Sequence, residues 1–377
     1  MSSQKSSITD KTFAQDLLRS ADIIINGSRP WDIQIHNEAF YKRVLSHGSL
    51  GLGESYMDQW WDCERLDVFF EKVLSASLDQ KIKIPFRVYL KHIFAYVINF
   101  QSKFFSKDVA KKHYDLGNLL FKNMLDSHMM YSCAYWKTAH TLEDAQQAKL
   151  ELTCKKLFLK SGMHLLDIGC GWGGLAKYAA EHYGVKVTGI TISQQQCDYA
   201  KNFCKGLPID IRLQDYRDIH ESFDRIVSIG MFEHVGHKNY DAFMKVVNQN
   251  LKNNGLFLLH TIGTNFTTSF TDAWIIKYIF PHGMLPSISQ IANISEQLFI
   301  MEDLHNFGAD YDKTLMAWHD KFIKAWPDIQ KQYDDRFFRM WTYYLLSCAG
   351  TFRARTNQLW QIVFSKNGIQ GGYIRTR

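Results

Sequence analysis

Two sets of residues in this chain have the types and spacing that chemistry requires. In LLDIGCGWGG, Gly169, Gly171 and Gly174 follow the spacing G-x-G-x-x-G, after an apolar run and before a helix-forming one. Glycines so placed let the backbone of a strand-to-helix turn approach a ligand closely, without naming the ligand. A nicotinamide cofactor would need an acid at the end of the next strand to hold its ribose, and there the chain reads Thr191-Ile192-Ser193. The second set is scattered: Cys133 in YSCAYW, Glu233 in GMFEHVG, His260 in HTIG, Tyr311 in FGADYDKTL and Cys348 in YYLLSCAG. Thiol, carboxyl, imidazole and phenol groups can move protons or attack carbon when the fold brings them together. Singly, each has a structural reading. Cys133 reads as a small core residue, Glu233 as the start of an exposed helix, and His260 as the satisfied end of a buried strand. Cys348 lies in a packed helical pattern and is expected in the core.

The elements that must position these residues alternate. HLLDIG (164–169) is a short strand, and GLAKYAAEHYG a helix closed by Gly184. VKVTGIT (185–191), IDIRLQD (209–215), FDRIVSIG (223–230) and GLFLLHTIG (255–263) are further strands, with helices through SQQQCDYAKNFCK and YDAFMKVVNQNLK between them. Such alternation predicts an α/β fold, a doubly wound Rossmann-like parallel sheet with ligands at the carboxyl ends of its strands. Residues 264–310 break the rhythm and read as an insertion or lid. Two helices follow, the second running through RFFRMWTYYLLSCAGTFRARTNQLW, and then two short strands, QIVFS and GGYIRTR. Residues 1–85 read as a small, mainly helical amino-terminal domain, 86–112 as a connector and 113–377 as the larger domain.

Composition bounds the partners. Of 377 residues, 46% are hydrophobic and 22% charged, enough for a sizeable core, and no apolar run is long enough to span a bilayer. The start MSSQKSSITD lacks the apolar stretch of a signal peptide, so a cytoplasmic location is expected. Seven cysteines without a C-x-x-C pair fit a reducing compartment and no metal site of the zinc-ribbon kind. The net charge of +6 calls for an anionic partner. Between Lys81 and Lys112 eight lysines and arginines face Asp108 alone, interleaved with Phe86, Tyr89, Phe94, Tyr96, Phe100, Phe104 and Phe105. That pattern suits either a helix lying on anionic lipid or a connector docking on the next domain. No recognised nucleic-acid-binding motif accompanies the charge.

Asp167 narrows the cofactor, because Asp-x-Gly-x-Gly on the first strand is the usual mark of the class I adenosylmethionine-dependent methyltransferase sheet. A more specific likeness is carried by YSCAYW (131–136), LDIGCGWGG (166–174), GITISQQQ (189–196), LQDYRD (213–218), GMFEHVG (230–236), HTIG (260–263), FGADYDKTL (307–315) and CAGTFRAR (348–355), with GSLGLGESYMDQWW near the start. In this order they resemble the bacterial cyclopropane-fatty-acyl-phospholipid synthases, relatives of the mycolic acid cyclopropane synthases. The resemblance implies that Tyr131 and Ser132 flank the methionine end of S-adenosylmethionine. Asp167, Gly169, Gly171 and Gly173 would form the loop beneath it, Thr191, Ile192 and Gln196 would contact the ribose, and Gln214, Asp215 and Tyr216 would border the adenine. It also implies a bound bicarbonate as general base, held by Cys133, Glu233, His260, Tyr311 and the backbone of Ile262.

The implied reaction transfers a methylene group to the cis double bond of an unsaturated phospholipid acyl chain. The alkene attacks the activated methyl, positive charge develops on the acyl chain, and a base removes a proton so that the ring closes. Aromatic faces tolerate such a cation without trapping it. Cys348 is a nucleophile candidate that this route does not need. The resemblance further implies a homodimer. The lack of a spanning segment and the basic stretch predict peripheral binding to the anionic inner face of the cytoplasmic membrane through the amino-terminal domain and Lys81–Lys112, with the acyl chain entering an aromatic tunnel near Trp274–Phe280. Competing readings are a methyltransferase leaving a methyl or methylene branch, one acting on a small amine or polyketide, and a membrane-surface module without catalysis.

Overall fold

The computed structural model describes residues 2–78, 117–268 and 271–377; the basic Lys81–Lys112 segment lies outside the described residues. The described chain forms two compact units. One comprises residues 117–268, 282–314 and 357–377, the other residues 2–78, 271–281 and 315–356. Residues 271–281 and 315–356 thus group with the amino-terminal residues, whereas the sequence reading kept them in the larger domain.

The larger unit is built on a seven-stranded sheet: β1 (His164–Ile168), β2 (Lys186–Thr191), β3 (Ile209–Leu213), β4 (Phe223–Ile229), β5 (Leu251–Thr264), β6 (Ile300–Asn306) and β7 (Asn357–Ser365). Its order is β3-β2-β1-β4-β5-β7-β6. The first five strands pair in parallel, while β7 runs antiparallel to both β5 and β6. The inner strands β1, β2 and β4 are mostly buried because both faces are covered, whereas the edge strand β3 buries one residue of its five. Leu166, Ile168, Ile226 and Phe257 pack on one side with Phe232, Phe243 and Val247. Leu165, Val187, Val227 and Leu258 pack on the other with Leu175, Ala179 and Leu150.

The accompanying helices are α1 (Asn118–Met124), α2 (Leu142–Lys156), α3 (Gly174–Tyr183), α4 (Gln194–Phe203), α5 (Tyr240–Asn250) and α6 (Ile288–Ser295). Their ends follow local chemistry. Thr141 caps α2 by accepting from Asp144 N, Ser193 caps α4 by accepting from Gln196 N, and Gly184 closes α3 in the left-handed conformation.

Three expectations change. Residues 264–310 are no plain insertion, since they contribute α6 and the edge strand β6, whose one buried residue is the acid Asp303, so the segment lacks the apolar alternation of a strand. NQLW opens β7 rather than continuing the preceding helix, which ends at Arg353 with Arg355 in the left-handed region (φ 61°). No glycine announces that break. GGYIRTR forms no strand.

The second unit has an aromatic core between helices Ala39–Met57, Leu66–Ser75, Ala273–Tyr278 and Asp335–Arg353. Trp274 lies 4.5 Å from Tyr343, and Tyr343 5.2 Å from Phe70 (ring centroids). A Cβ at Gly53 would fall 2.4 Å from the Trp274 ring, and Trp274 is a buried, packed residue of this core. Arg353 pairs with Asp67 at 2.7 Å and Arg339 with Asp62 at 2.7 Å. Among the described residues no helix is long and apolar enough to cross a membrane.

Candidate active site

Every parallel strand ends, at its carboxyl edge, in residues singled out above. β1 leads into Gly169–Gly174, β2 into Thr191 and Ile192, β3 into Gln214–Tyr216, β4 into Gly230–Glu233, and β5 carries His260 and Ile262 near its end. One edge therefore gathers them. In parallel α/β sheets this edge is where ligands bind.

The glycines differ in what they permit. Gly169, Gly171 and Gly173 all have positive φ, of 83°, 56° and 88°. A Cβ on Gly169 would meet the Met231 side chain at 2.8 Å, and one on Gly173 would meet Cys204 Sγ at 2.9 Å. Gly173 thus serves helix packing against α4. A Cβ on Gly171 meets nothing within 4 Å, so the open space of the turn lies there. Gly174 brings α3 under another segment, since its Cβ would lie 2.1 Å from His128 O and 2.7 Å from Met130 Sδ.

That segment, 130–136, has no regular structure and is held from two sides. From α2, Gln146 Nε2 donates to Met130 O (3.3 Å) and Ser132 O (2.9 Å), and Lys149 Nζ donates to Ser132 Oγ (2.8 Å). From the start of the helix Ala309–Ile329, Thr314 Oγ1 accepts from Ala134 N (3.1 Å) and from Trp136 Nε1 (2.9 Å), while Asp310 accepts from Trp136 N (2.8 Å). Tyr131 packs edge-on against Phe121. Cys133 is fully buried, its thiol donates to Ala134 O (3.2 Å), and burial holds it well above the usual thiol range, so it stays protonated.

On the second strand end, the Thr191 hydroxyl donates to Gln196 Oε1 (3.0 Å), both being buried, while Ile192 is exposed. Gln214 Nε2 donates to Asp218 O (2.9 Å). Asp215 is gripped by the Arg217 guanidinium at 2.8 Å on each oxygen, and Tyr216 packs edge-on against Phe243. Asp215 is therefore a structural anchor of its turn.

Glu233 and His260 carry the site's distinctive electrostatics. Glu233 Oε1 accepts from Ile262 N (2.7 Å), whereas Oε2 is buried without a partner. Burial pushes this carboxyl up to about 7. The backbone amide of Ile262 thus fixes the Glu233 carboxylate. Gln361 Nε2 donates to Thr153 Oγ1 (3.2 Å) and lies 3.3 Å from His260 Nδ1. An amide NH2 only donates, so Nδ1 accepts and the proton sits on Nε2. That Nε2–H is buried and unpartnered, and burial with Lys149 and Lys156 keeps the imidazole neutral, well below its usual range. The site thus holds an unmatched donor, His260 Nε2–H, and an unmatched carboxyl oxygen, Glu233 Oε2. Such a pair fits a small group that both accepts and donates, as a hydrogencarbonate ion does. Tyr311 is buried in the first turn of Ala309–Ile329. Cys348 lies in the other unit on Asp335–Arg353, with its thiol pushed up to about 12 by burial.

The sequence reading missed Gln146 and Lys149. Both are fully buried, on the face of α2 that also buries Leu142, Ala145 and Thr153. Their signal was polar residues at helical spacing within an apolar stripe. Lys149 is pushed down to about 8 by burial, and Asp167 up to about 7. Asp126, His128 and Glu143 also bring ligand-type atoms within 4.8 Å of one another, but Asp126 already accepts from His128 N and Met130 N (2.9 Å each).

Comparison with known proteins shows the family. Residues 101–362 match the mycolic acid cyclopropane synthetase family. The chain is 59% identical over 359 residues to the cyclopropane-fatty-acyl-phospholipid synthase of Escherichia coli K12, covering 95% of this chain and 94% of that protein. The solved cyclopropane synthase MmaA2 from Mycobacterium tuberculosis superposes with a TM-score of 0.66 at 32% identity, covering 69% of this chain and 98% of that one. Mycolic acid cyclopropane synthase CmaA1, complexed with SAH and CTAB, gives 0.64 at 34% identity, over 69% and 98%.

Proposed function

Because the chain belongs to the mycolic acid cyclopropane synthetase family, an S-adenosylmethionine-dependent enzyme family acting on lipids, we propose that it closes a cyclopropane ring on the cis double bond of unsaturated phospholipid acyl chains. The observation that carries the finer reading is the buried, unpartnered pair of Glu233 Oε2 and His260 Nε2. When bound, adenosylmethionine supplies an electrophilic methyl group and hydrogencarbonate a base.

The residues prepare that chemistry as follows. His260 Nε2–H would donate to an oxygen of the small anion and Glu233 Oε2 would accept its hydroxyl proton, so that these two residues would orient the base the anion supplies. Ile262 N holds Glu233 in place through Oε1. Buried Cys133 and Tyr311 complete the enclosure. Exclusion of water keeps the base poorly solvated and therefore strong. Asp167 and the Gly169–Gly171 turn hold the cofactor's methionine end with Tyr131 and Ser132. Thr191, Ile192 and Gln196 border its ribose, and Gln214 and Tyr216 its adenine. The substrate lies in a bilayer, so the enzyme binds an anionic membrane surface peripherally, and it works as a homodimer.

Incubation with labelled adenosylmethionine and monounsaturated phospholipid vesicles tests the reading by mass analysis of the acyl chains. A gain of one CH2 in a product that resists hydrogenation is expected. A reducible methylene branch, or a saturated methyl branch, overturns ring closure. Omitting bicarbonate under CO2-free conditions should slow turnover, and an unchanged rate removes it from the mechanism.

A further inference from the structure

Lys149 bears on the His260 imidazole through space but touches none of the reacting groups above, yet its ammonium is wholly buried. A buried cation is costly unless negative charge meets it. Among the described residues its hydrogen-bond partner is the neutral hydroxyl of Ser132, at 2.8 Å. The carboxylates that act on it, Asp126 and Asp167, do so through space. Asp126 is already occupied by the amides of His128 and Met130. Asp167 is buried as the penultimate residue of β1, two residues before Gly169 of the glycine turn. The segment carrying Ser132 lies beside that turn, because Gly174 reaches His128 O and Met130 Sδ, and beside the end of β4, where a Cβ on Gly230 would come 3.8 Å from Ser132 Cβ. A positive and a negative group, each incompletely neutralised, thus flank one small region.

A hydroxyl that accepts from an ammonium must donate its own proton elsewhere, and is polarised to donate more strongly. An α-amino acid carries the matching charges, a carboxylate and an ammonium on one carbon. We propose that Lys149 is a positioning residue for the cofactor's amino-acid end, presenting its positive charge to the α-carboxylate through the Ser132 hydroxyl while Asp167 answers the α-ammonium. This rests on the reading that Ser132 and the glycine turn hold adenosylmethionine. Gln146, one turn earlier on α2, sets the distance by fixing the Ser132 carbonyl. Lys149→Met keeps an unbranched apolar stem, one heavy atom shorter, and removes the charge and its donors.

Calorimetric titration with two ligands, S-adenosylhomocysteine and its decarboxylated analogue, separates this role from a merely structural one. In the wild type, losing the carboxylate should weaken binding by at least about tenfold, the usual worth of a charge-assisted hydrogen bond. In Lys149→Met, S-adenosylhomocysteine should weaken by a similar factor while the decarboxylated analogue binds as before, so that the ratio collapses toward one. Equal weakening of both ligands, or a ratio that stays near the wild-type value, overturns the proposal. Ser132→Ala should give the same collapse and serves if Lys149→Met does not fold; a preserved ratio there overturns it equally. A wild type that binds neither ligand fails differently, because it removes the cofactor reading itself.

Discussion

The unmatched oxygen of Glu233 makes its protonation visible in stability. The folded protein holds this carboxyl near 7, against 4.5 ordinarily, because burial disfavours the charge. The folded state therefore binds the proton more tightly than the unfolded chain. Its stability is unpenalised below about 4.5 and declines as pH rises from there through 7. Glu233→Gln mimics the protonated form and can still accept from Ile262 N. It should equal the wild type near pH 4 and exceed it at pH 8 by on the order of 1–3 kcal/mol in urea unfolding. A gain independent of pH would mean that the carboxyl is not the titrating group. Function should move oppositely. Glu233→Ala and His260→Ala are expected to bind S-adenosylhomocysteine nearly as the wild type does and to lose at least about 100-fold in turnover. Near-normal turnover in both would remove them from the base. Cys348→Ser should remain active, since a thiol pushed up to about 12 is a poor nucleophile.

At the scale of elements, the turn between β1 and α3 separates glycines needed for packing from one needed for a ligand. Gly174→Ala places a methyl 2.1 Å from a backbone carbonyl that has little room to retreat, and should destabilise by roughly 1–3 kcal/mol. Gly171→Ala meets open space and bears only the left-handed φ, a cost of roughly 1 kcal/mol. Thermal melts and S-adenosylhomocysteine titration on the two variants should therefore cross. Gly174→Ala should melt much lower, while Gly171→Ala folds but binds at least about tenfold more weakly, because its methyl enters the ligand's space. Unchanged affinity in folded Gly171→Ala would move the cofactor away from this turn.

On the proposed function the whole molecule would have to reach a double bond lying below lipid headgroups, and no described helix is long and apolar enough to span a bilayer. Its net charge of +6 and the basic Lys81–Lys112 stretch, which lies outside the described residues, favour attachment to an anionic surface. Each basic side chain near such a surface contributes on the order of 1 kcal/mol, screened by salt. Sedimentation with anionic vesicles should weaken across a salt series. It should fall sharply when Lys103, Lys107, Lys111 and Lys112 are all changed to Glu, with S-adenosylhomocysteine affinity unchanged. Binding that ignores both salt and charge reversal would place the membrane surface elsewhere.

The sequence by itself determined the parallel sheet and its ligand edge, because apolar runs, capping residues and left-handed glycines act over a few residues at a time. Gly184 and Ser193 end and begin helices for reasons local to them. The strand β6 escaped that reading because an edge strand with a mostly exposed face has no apolar alternation. The turn at Arg355 escaped it because a non-glycine residue takes the left-handed conformation there. Only the tertiary structure decided which polar groups are left without partners. Glu233 Oε1 is matched and Oε2 is not, His260 is fixed as the Nε2–H tautomer by Gln361 from a strand 101 residues away, and Lys149 is buried beside Ser132. Those facts depend on which distant elements exclude water from a given atom, and desolvation is not a property that local spacing encodes.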